Sequence, residues 1–209
     1  MRVGQHWSLL DRLSRGRFRT RVRTTNPVLY LTFDDGPHPR HTADLLTLLA
    51  RYGVRATFFM VGKTAEQHPA VARQVAGAGH SVGNHSYSHA RQTTISAAQR
   101  RDEFQRTDKV LQDADHRALH MARPPYGAVP YGVALQCLLG TCQLTLWSYD
   151  SLDHRGNADD VIRRLQADSM RPGEILLFHD DDATALRSLE VLLPFWQQQG
   201  FSFSALDPH

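Results

Sequence analysis

Short strand-like segments alternate with helix-length amphipathic segments along most of the 209-residue chain. The strand-like segments are rich in β-branched and aromatic residues, and the segments between them repeat apolar positions at helical spacing. The predicted strands are 28–33, 56–61, 80–83, 121–122, 144–147, 174–178 and 201–204. The predicted helices are 43–51, 65–76, 96–114, 129–139, 158–168 and 183–199. A β–α unit repeated about seven times predicts an α/β fold, either a parallel sheet or a (β/α) barrel, in a single domain.

The composition is that of a globular protein and excludes two other classes. Hydrophobic residues make up 41% of the chain and charged residues 22%, which argues against a disordered polypeptide. The most apolar stretch, residues 133–147, is interrupted by glycine, glutamine and threonine. A membrane-spanning helix needs about 18 or more consecutive apolar residues, so none is predicted.

The positive charge is concentrated at the N-terminus. The chain carries a formal net charge of +3, yet residues 1–25 hold seven arginines against the single acidic residue Asp11. The rest of the sequence has more acidic than basic residues, so we predict a basic arm over residues 1–27 and a mildly acidic body. A nucleic-acid-binding domain would carry its basic residues on the folded body, and no nucleic-acid partner is therefore expected.

The arm also carries an apolar strip, formed by Trp7, Leu9, Leu10, Leu13 and Phe18 among arginines. One interpretation is a peripheral membrane contact, in which the apolar side chains enter the headgroup region and the arginines attract anionic lipid. The alternative is that these side chains cover the bottom of the barrel. No secretory apolar segment or twin-arginine pair is visible, which predicts a cytoplasmic location, at the inner face of the membrane if the arm binds lipid.

Polar side chains gather at the carboxyl ends of the predicted strands, which form the rim where (β/α) barrels build active sites. They are Asp34, Asp35, His85, His89, Arg123, Asp150, Asp153, His179 and Asp180. Each alone has an ordinary structural explanation, such as a turn at Asp35-Gly36 or a helix cap at Asp180. Their concentration on one rim predicts a functional site.

Two histidines and an aspartate on this rim suggest a metal centre. His85 and His89 are four residues apart, and one helical turn would place both rings on the same side. Two histidines and one carboxylate leave a coordination position open, as in catalytic zinc sites, and the same set could hold Fe(II). Eight further histidines are predicted to lie at the surface: His6, His38, His41, His68, His80, His116, His120 and His209.

Five segments in order resemble the motifs of the polysaccharide deacetylases, the NodB-homology domains of carbohydrate esterase family four. They are TFDDGP at 32–37, NHSYSH at 84–89, RPPYG at 123–127, WSYDSLD at 147–153 and LFHD at 177–180. The resemblance covers about residues 28 to 205. It implies a distorted (β/α)7 TIM-like barrel forming one catalytic domain over residues 28–209.

The resemblance implies a metal-dependent hydrolase. A divalent metal, most often Zn²⁺ with Co²⁺ or another divalent ion as alternatives, would be bound by Asp35, His85 and His89. Asp34 would act as the general base on the metal-bound water, whose pKa the metal lowers. The resulting hydroxide would attack the carbonyl carbon of an N-acetyl group.

The resemblance also assigns the residues around the reacting group. The backbone N–H of Tyr126 would stabilise the oxyanion together with the metal, and His179 would protonate the departing amine. Arg123 would lie beside the base and Asp153 beside the acid, since the two need opposite protonation states. Leu177 would line a small apolar pocket for the acetyl methyl group.

One position departs from the family pattern. The family commonly has tryptophan after the aspartate that matches Asp153, where it forms one wall of the substrate groove. This chain has His154 there, which changes the expected shape of the groove and the sugar preference but leaves the catalytic set complete. Trp147 lies upstream in the strand and is not expected to substitute.

The leading hypothesis is removal of N-acetyl groups, with release of acetate, from a GlcNAc-containing glycan or glycan precursor. The alternatives are a sugar-binding pseudoenzyme on the same barrel, an O-acetyl esterase of the xylan type, and an Fe(II) oxygenase. Retention of base, acid and three ligands argues against a pseudoenzyme. An oxygenase would leave the second aspartate, the arginine and the further histidine of the rim unexplained.

Overall fold

The computed structural model describes residues 5–140 and 143–206. The helices are α1 (Gln5–Leu13), α2 (His41–Arg51), α3 (Gly62–Gln67), α4 (Pro69–Gly77), α5 (Ala97–Asp115), α6 (Tyr131–Leu138), α7 (Ala158–Ala167) and α8 (Thr184–Gln198). The strands are β1 (Phe18–Arg19), β2 (Val28–Asp34), β3 (Thr57–Met60), β4 (Ser81–Asn84), β5 (Met121–Ala122), β6 (Leu144–Thr145), β7 (Tyr149–Asp150), β8 (Ile175–His179) and β9 (Ser202–Phe203). Single 3₁₀ turns cover Pro125–Gly127 and Asp153–Arg155.

The strands form one parallel sheet that curls into an open barrel with helices outside. Their order is β1-β6-β5-β4-β3-β2-β8-β7, and β9 pairs with the start of β2. The outer strands β1 and β7 are not paired with each other, so the barrel is incompletely closed. This confirms the distorted (β/α) barrel that the family resemblance implies.

Alternation along the central strand β2 separates the core from the site. Leu31 and Phe33 are fully buried in the large apolar core between the sheet and the helices. Thr32 and Asp34 point to the opposite face, because successive side chains of a strand alternate. The interior of the barrel therefore receives the polar residues of β2.

The C-terminal segment closes the amino-terminal end of the barrel. The Leu206 N–H donates to Thr57 Oγ1 over 2.9 Å, and Ser81 Oγ donates to the Leu206 carbonyl over 2.8 Å. Thr57 and Ser81 are the first residues of β3 and β4. Leu206 is buried against Met121 and Ile175, so the interior opens toward the carboxyl ends of the strands.

Part of the predicted basic arm belongs to the sheet. β1 pairs in parallel with β6, and the Trp7 ring stacks on Phe18 with 5.0 Å between centroids. Trp7 and Leu10 pack against a small apolar cluster, whereas Leu9 and Leu13 are about 60% exposed. This packing does not support a membrane contact through the arm. None of the described helices is long and apolar enough to cross a membrane.

The element boundaries differ from the prediction in a few places. The single helix predicted over 65–76 is two helices, since Pro69 occupies the first turn of α4 and begins a new helix there. The strands β1 and β7 were not predicted, because each combines one aromatic with one charged residue and so shows no apolar strand pattern.

His80 lies in the core, and its predicted surface position is wrong. Its Nδ1 accepts a hydrogen bond from the Ala56 N–H over 3.0 Å, and its ring meets the Phe58 ring edge-on. Burial, aided by the charge of Arg55, lowers the pKa of His80 to about 4. The ring is therefore neutral at neutral pH and acts as a structural acceptor.

Candidate active site

Asp35, His85 and His89 converge at the carboxyl ends of β2 and β4. Asp35 Oδ1 lies 3.0 Å from His89 Nε2 and 3.4 Å from His85 Nε2. One ligand atom from each residue lies within 4.8 Å of the others. Asp35 Oδ1 is buried and accepts no aligned hydrogen bond among the described residues. Two imidazole nitrogens facing an unsatisfied carboxylate oxygen fit a divalent cation.

A backbone carbonyl fixes the tautomer of His85. Its Nδ1 lies 2.7 Å from the carbonyl oxygen of Arg123. A carbonyl can only accept, so Nδ1 carries the proton and Nε2 presents its lone pair toward Asp35. A partner on the second ring nitrogen is the usual way in which proteins orient a metal-binding histidine.

His85 and His89, the candidate ligands, converge through a loop, so the expectation of a helical turn is wrong. Ser86 and His89 have positive φ angles of 63° and 59°, which a helix does not contain. Glu103 of α5 holds this loop, since it accepts the N–H groups of Tyr87 and Ser88 over 2.9 and 2.7 Å. The loop geometry therefore depends on a carboxylate from a neighbouring helix.

A second set of contacts fixes the start of the same loop. Asn84 accepts the Ser86 N–H over 3.0 Å and donates to Asp108 Oδ1 over 2.8 Å. Asp108 also contacts His120 Nδ1, and His120 Nε2 contacts Asp115, both over 3.0 Å. The His120 side chain is fully buried, which corrects its predicted surface position. Burial lowers the pKa of His120, but hydrogen bonds to two carboxylates outweigh that effect and raise it.

Asp34, the predicted base, forms a buried ion pair with Arg123. The Arg123 Nη1 donates to Asp34 Oδ1 over 2.7 Å and to Thr32 Oγ1 over 2.8 Å. Its other nitrogens donate to the carbonyls of Thr145 and Leu146. Burial lowers the pKa of the Arg123 guanidinium, and the carboxylate of Asp34 opposes this. Asp34 Oδ2 lies 3.6 Å from His85 Nε2, so the carboxylate faces the metal-site histidines.

His179, the predicted acid, pairs with Asp153. His179 Nδ1 lies 2.8 Å from Asp153 Oδ1, and the His179 N–H donates to Asp153 Oδ2 over 2.8 Å. Burial lowers the pKa of His179, but the hydrogen bond and charge of Asp153 outweigh it and raise the pKa to about 10. The ring is therefore cationic at neutral pH, and Nε2 is left to reach a substrate.

The Tyr126 side chain lies against His89 at the mouth of the barrel. It is 58% exposed and its φ is 61°. Its ring centroid lies 4.7 Å from that of His89, and the guanidinium of Arg91 lies 4.5 Å from the ring centroid on the exposed rim. Leu177 is buried and shares a face of β8 with His179, where it can line the interior beside the acid.

Backbone conformations of higher energy gather on this rim. Among the described residues, seven non-glycines have positive φ, and five of these belong to the rim loops. They are Asp35, Ser86, His89, Tyr126 and Leu152. Such conformations persist only where the surrounding structure enforces them, and they cluster at functional sites.

His154 lies against the predicted acid. Its ring meets the His179 ring edge-on, with 5.0 Å between centroids. His154 Nε2 accepts a hydrogen bond from Arg155 Nε over 3.0 Å. The residue that replaces the family tryptophan thus touches the acid and remains exposed to solvent.

Asp180 has a role that the sequence did not reveal. It does not cap α8; its Oδ1 accepts the Gly36 N–H over 3.0 Å, and its Oδ2 accepts the Thr42 hydroxyl. A Cβ at Gly36 would overlap the Asp180 carboxylate, so the position next to the metal-site Asp35 requires glycine. Burial raises the pKa of Asp180 to about 7. No sequence signal pairs residues this far apart.

Comparison with known proteins identifies the family. The family model described as polysaccharide deacetylase matches residues 21–138. A peptidoglycan-N-acetylglucosamine deacetylase of Bacillus cereus is 30% identical over 180 residues, which cover 84% of this chain and 66% of that protein. A chitooligosaccharide deacetylase of Bradyrhizobium is 33% identical over 198 residues, covering 85% of this chain and 88% of the relative.

A solved structure is similar over most of its length. The crystal structure of the Bc1960 peptidoglycan N-acetylglucosamine deacetylase superposes with a TM-score of 0.83 at 27% identity, covering 90% of each chain. The matched family model covers more than half of the sequence, from the segment between β1 and β2 to the end of α6. The chain belongs to the polysaccharide deacetylase family.

Proposed function

We propose that the protein is a metal-dependent N-deacetylase that hydrolyses the acetamido group of a GlcNAc-containing glycan and releases acetate. The observation that carries the proposal is the pairing of Asp34 with His179 across β2 and β8. This register places a carboxylate held by an arginine next to an imidazolium held by a carboxylate, beside the three candidate metal ligands. Amide hydrolysis needs such a base and acid on one carbonyl.

Asp35, His85 and His89 would hold the metal. Two imidazoles and one carboxylate suit zinc, which we propose as the metal, with cobalt as a functional substitute. When bound, such an ion polarises the acetyl carbonyl and lowers the pKa of a water molecule.

The residues of the chain move the protons. Asp34 accepts a proton from the attacking water as the water oxygen bonds to the acetyl carbon. The C–N bond then breaks, and His179 donates its Nε2 proton to the departing nitrogen, which leaves as the sugar amine. The Tyr126 backbone N–H would stabilise the negative charge on the carbonyl oxygen, and Leu177 would contact the acetyl methyl.

The complete acid–base set argues against a sugar-binding pseudoenzyme. Both buried ion pairs of the predicted base and acid are formed, with nitrogen–oxygen distances of 2.7 and 2.8 Å. Burying four ionisable groups is costly without a purpose, because each must be desolvated. We attribute this arrangement to turnover.

The test is acetate release from chitooligosaccharides and peptidoglycan fragments, with and without chelator and re-added Zn²⁺. We expect release that the chelator abolishes and that zinc restores. His85→Ala should lose bound zinc and activity together. Full turnover after complete metal removal would contradict the proposal, as would a zinc-loaded protein inactive on every acetylated sugar.

A further inference from the structure

We propose that a groove beside α7 binds a carboxylate-bearing substituent of the glycan and so directs the enzyme to anionic substrates. This inference rests on the proposed function and names its substrate class. The α7 groove has a volume of ≈ 560 Å³. Its lining residues are Leu152, Arg155, Gly156, Asp160, Arg163, Arg164 and Ala167.

The α7 groove has an excess of positive charge and unsatisfied donors. Three arginines face one carboxylate, Asp160, which Arg163 contacts over 3.3 Å. Arg164 Nε and Nη2 are buried and donate to no acceptor in the described part of the chain. Buried guanidinium donors without an acceptor are unfavourable, and a carboxylate can accept two of them at once. The groove thus has the chemistry of an anion site.

The groove begins beside the general acid. Arg155, which lines its upper end, donates to His154, and the His154 ring contacts His179. The opposite end is Ala167, the last residue of α7. At a rise of 1.5 Å per residue, the ten residues of α7 span roughly 14 Å. A side group on the sugar next to the reacting unit can therefore enter the groove from the rim.

A second arginine-rich cavity shows why the α7 groove is distinctive. It has a volume of ≈ 390 Å³ and lies at the amino-terminal end of the barrel, lined by Tyr30 and Leu206. There Arg21 donates to the Pro172 carbonyl over 2.8 Å, and Arg23 lies 3.7 Å from Asp11. Arg21 and Arg23 thus already have acceptors, and this cavity lies at the end of the barrel opposite the site.

The relatives are named for two glycans, peptidoglycan and chitooligosaccharides, and these glycans differ in charge. Chitooligosaccharides are neutral chains, whereas peptidoglycan strands carry carboxylates on their peptide substituents. An anion-binding groove that begins beside His179 favours the carboxylate-bearing peptidoglycan strands. The carboxylate would lie against Arg163 and Arg164 while the acetamido group occupies the metal site.

The experiment compares chitotetraose with a soluble GlcNAc–MurNAc tetrasaccharide that carries its peptide carboxylates. The double variant Arg163→Gln/Arg164→Gln should raise KM for the anionic tetrasaccharide roughly tenfold, because it loses charge-assisted hydrogen bonds. We expect kcat on that substrate, and both constants on chitotetraose, to remain as in the parent. Arg51→Gln is the matched control, since it removes an exposed arginine at the far end of α2.

Direct binding separates this inference from the proposed function. Calorimetric titration of the zinc-loaded protein with the anionic tetrasaccharide should show the same loss of affinity in the double variant. Inorganic phosphate at constant ionic strength should compete with this ligand in the parent but not in the variant. If neither protein released acetate but the binding difference persisted, the proposed function would be wrong. The assignment of the α7 groove as a carboxylate-binding site would still be supported. Two results would overturn the anion-binding proposal. One is an equal effect of the double variant on both substrates, and the other is an unchanged KM and affinity for the anionic tetrasaccharide.

Discussion

Two parts of the rim position their side chains by different means. Asp34 and His179 end paired strands, so the sheet itself sets their separation. Asp35 and His89 have positive φ, and the loops that carry them depend on Asp180 and Glu103, which belong to other elements of the fold. The candidate base and acid, Asp34 and His179, are therefore fixed by strand register, whereas the candidate ligands Asp35 and His89 depend on side chains that anchor loops. The two parts should respond differently to substitution.

Substitution in the strand-held part of the rim, Asp34 and His179, should lower the catalytic rate without loss of bound metal. Asp34→Asn keeps the shape of the side chain but removes the base, and we expect kcat to fall by roughly 10²–10⁴-fold. Zinc content after dialysis should stay close to that of the parent, because Asp34 is not among the three ligands. Metal analysis and acetate release on one preparation measure both quantities. A variant with near-parental kcat would remove Asp34 from the mechanism.

Substitution of a residue that anchors the loop-held part of the rim, Asp35 and His89, should lower metal affinity first. Glu103→Gln weakens the acceptor for the Tyr87 and Ser88 N–H groups, and we expect zinc affinity to fall about 10–100-fold. Activity should recover largely at saturating zinc, since the acid and base are untouched. Glu190→Gln, on the exposed face of α8, is the control. An equal loss of kcat at saturating zinc would show that the two parts are not independent.

The sequence anticipated the strand-held part better than the loop-held part. The strand-like runs of β2 and β8 end at Asp34 and His179, and parallel strands bring such ends together. The contact of Asp180 with Gly36 joins residues 144 positions apart and has no local pattern. Glu103 looks like any acidic residue on a helix. Side chains that act through tertiary contacts leave no periodic signal in one sequence.

His120, buried behind the loop that carries His85 and His89, should make the stability of the fold depend on pH. The folded state raises the pKa of His120 above its usual 6.5, so its stabilising effect is complete below that value and declines as the pH rises through the folded pKa. His120→Gln should cost about 1–3 kcal/mol of unfolding free energy at pH 5.5, and less at alkaline pH. Denaturant unfolding across this range measures the difference. A penalty that grows with pH would mean that the ring is neutral in the fold.

The smallest expected effect concerns the groove wall beside the acid, where a rim loop touches the strand-held part. His154→Trp replaces an imidazole that contacts His179 and Arg155 with a larger, neutral indole. Stacking on a sugar ring should lower KM for longer oligosaccharides several-fold, roughly 1 kcal/mol, while kcat on a minimal acetylated substrate changes little. His154→Gln is the matched control, because it removes the imidazole without adding an aromatic surface. The pH–rate profile separates the two roles, since loss of a neighbouring imidazole would shift the alkaline limb set by His179 in both variants. If oligosaccharide and minimal substrate changed equally in His154→Trp, the side chain would act on the acid and not on the groove.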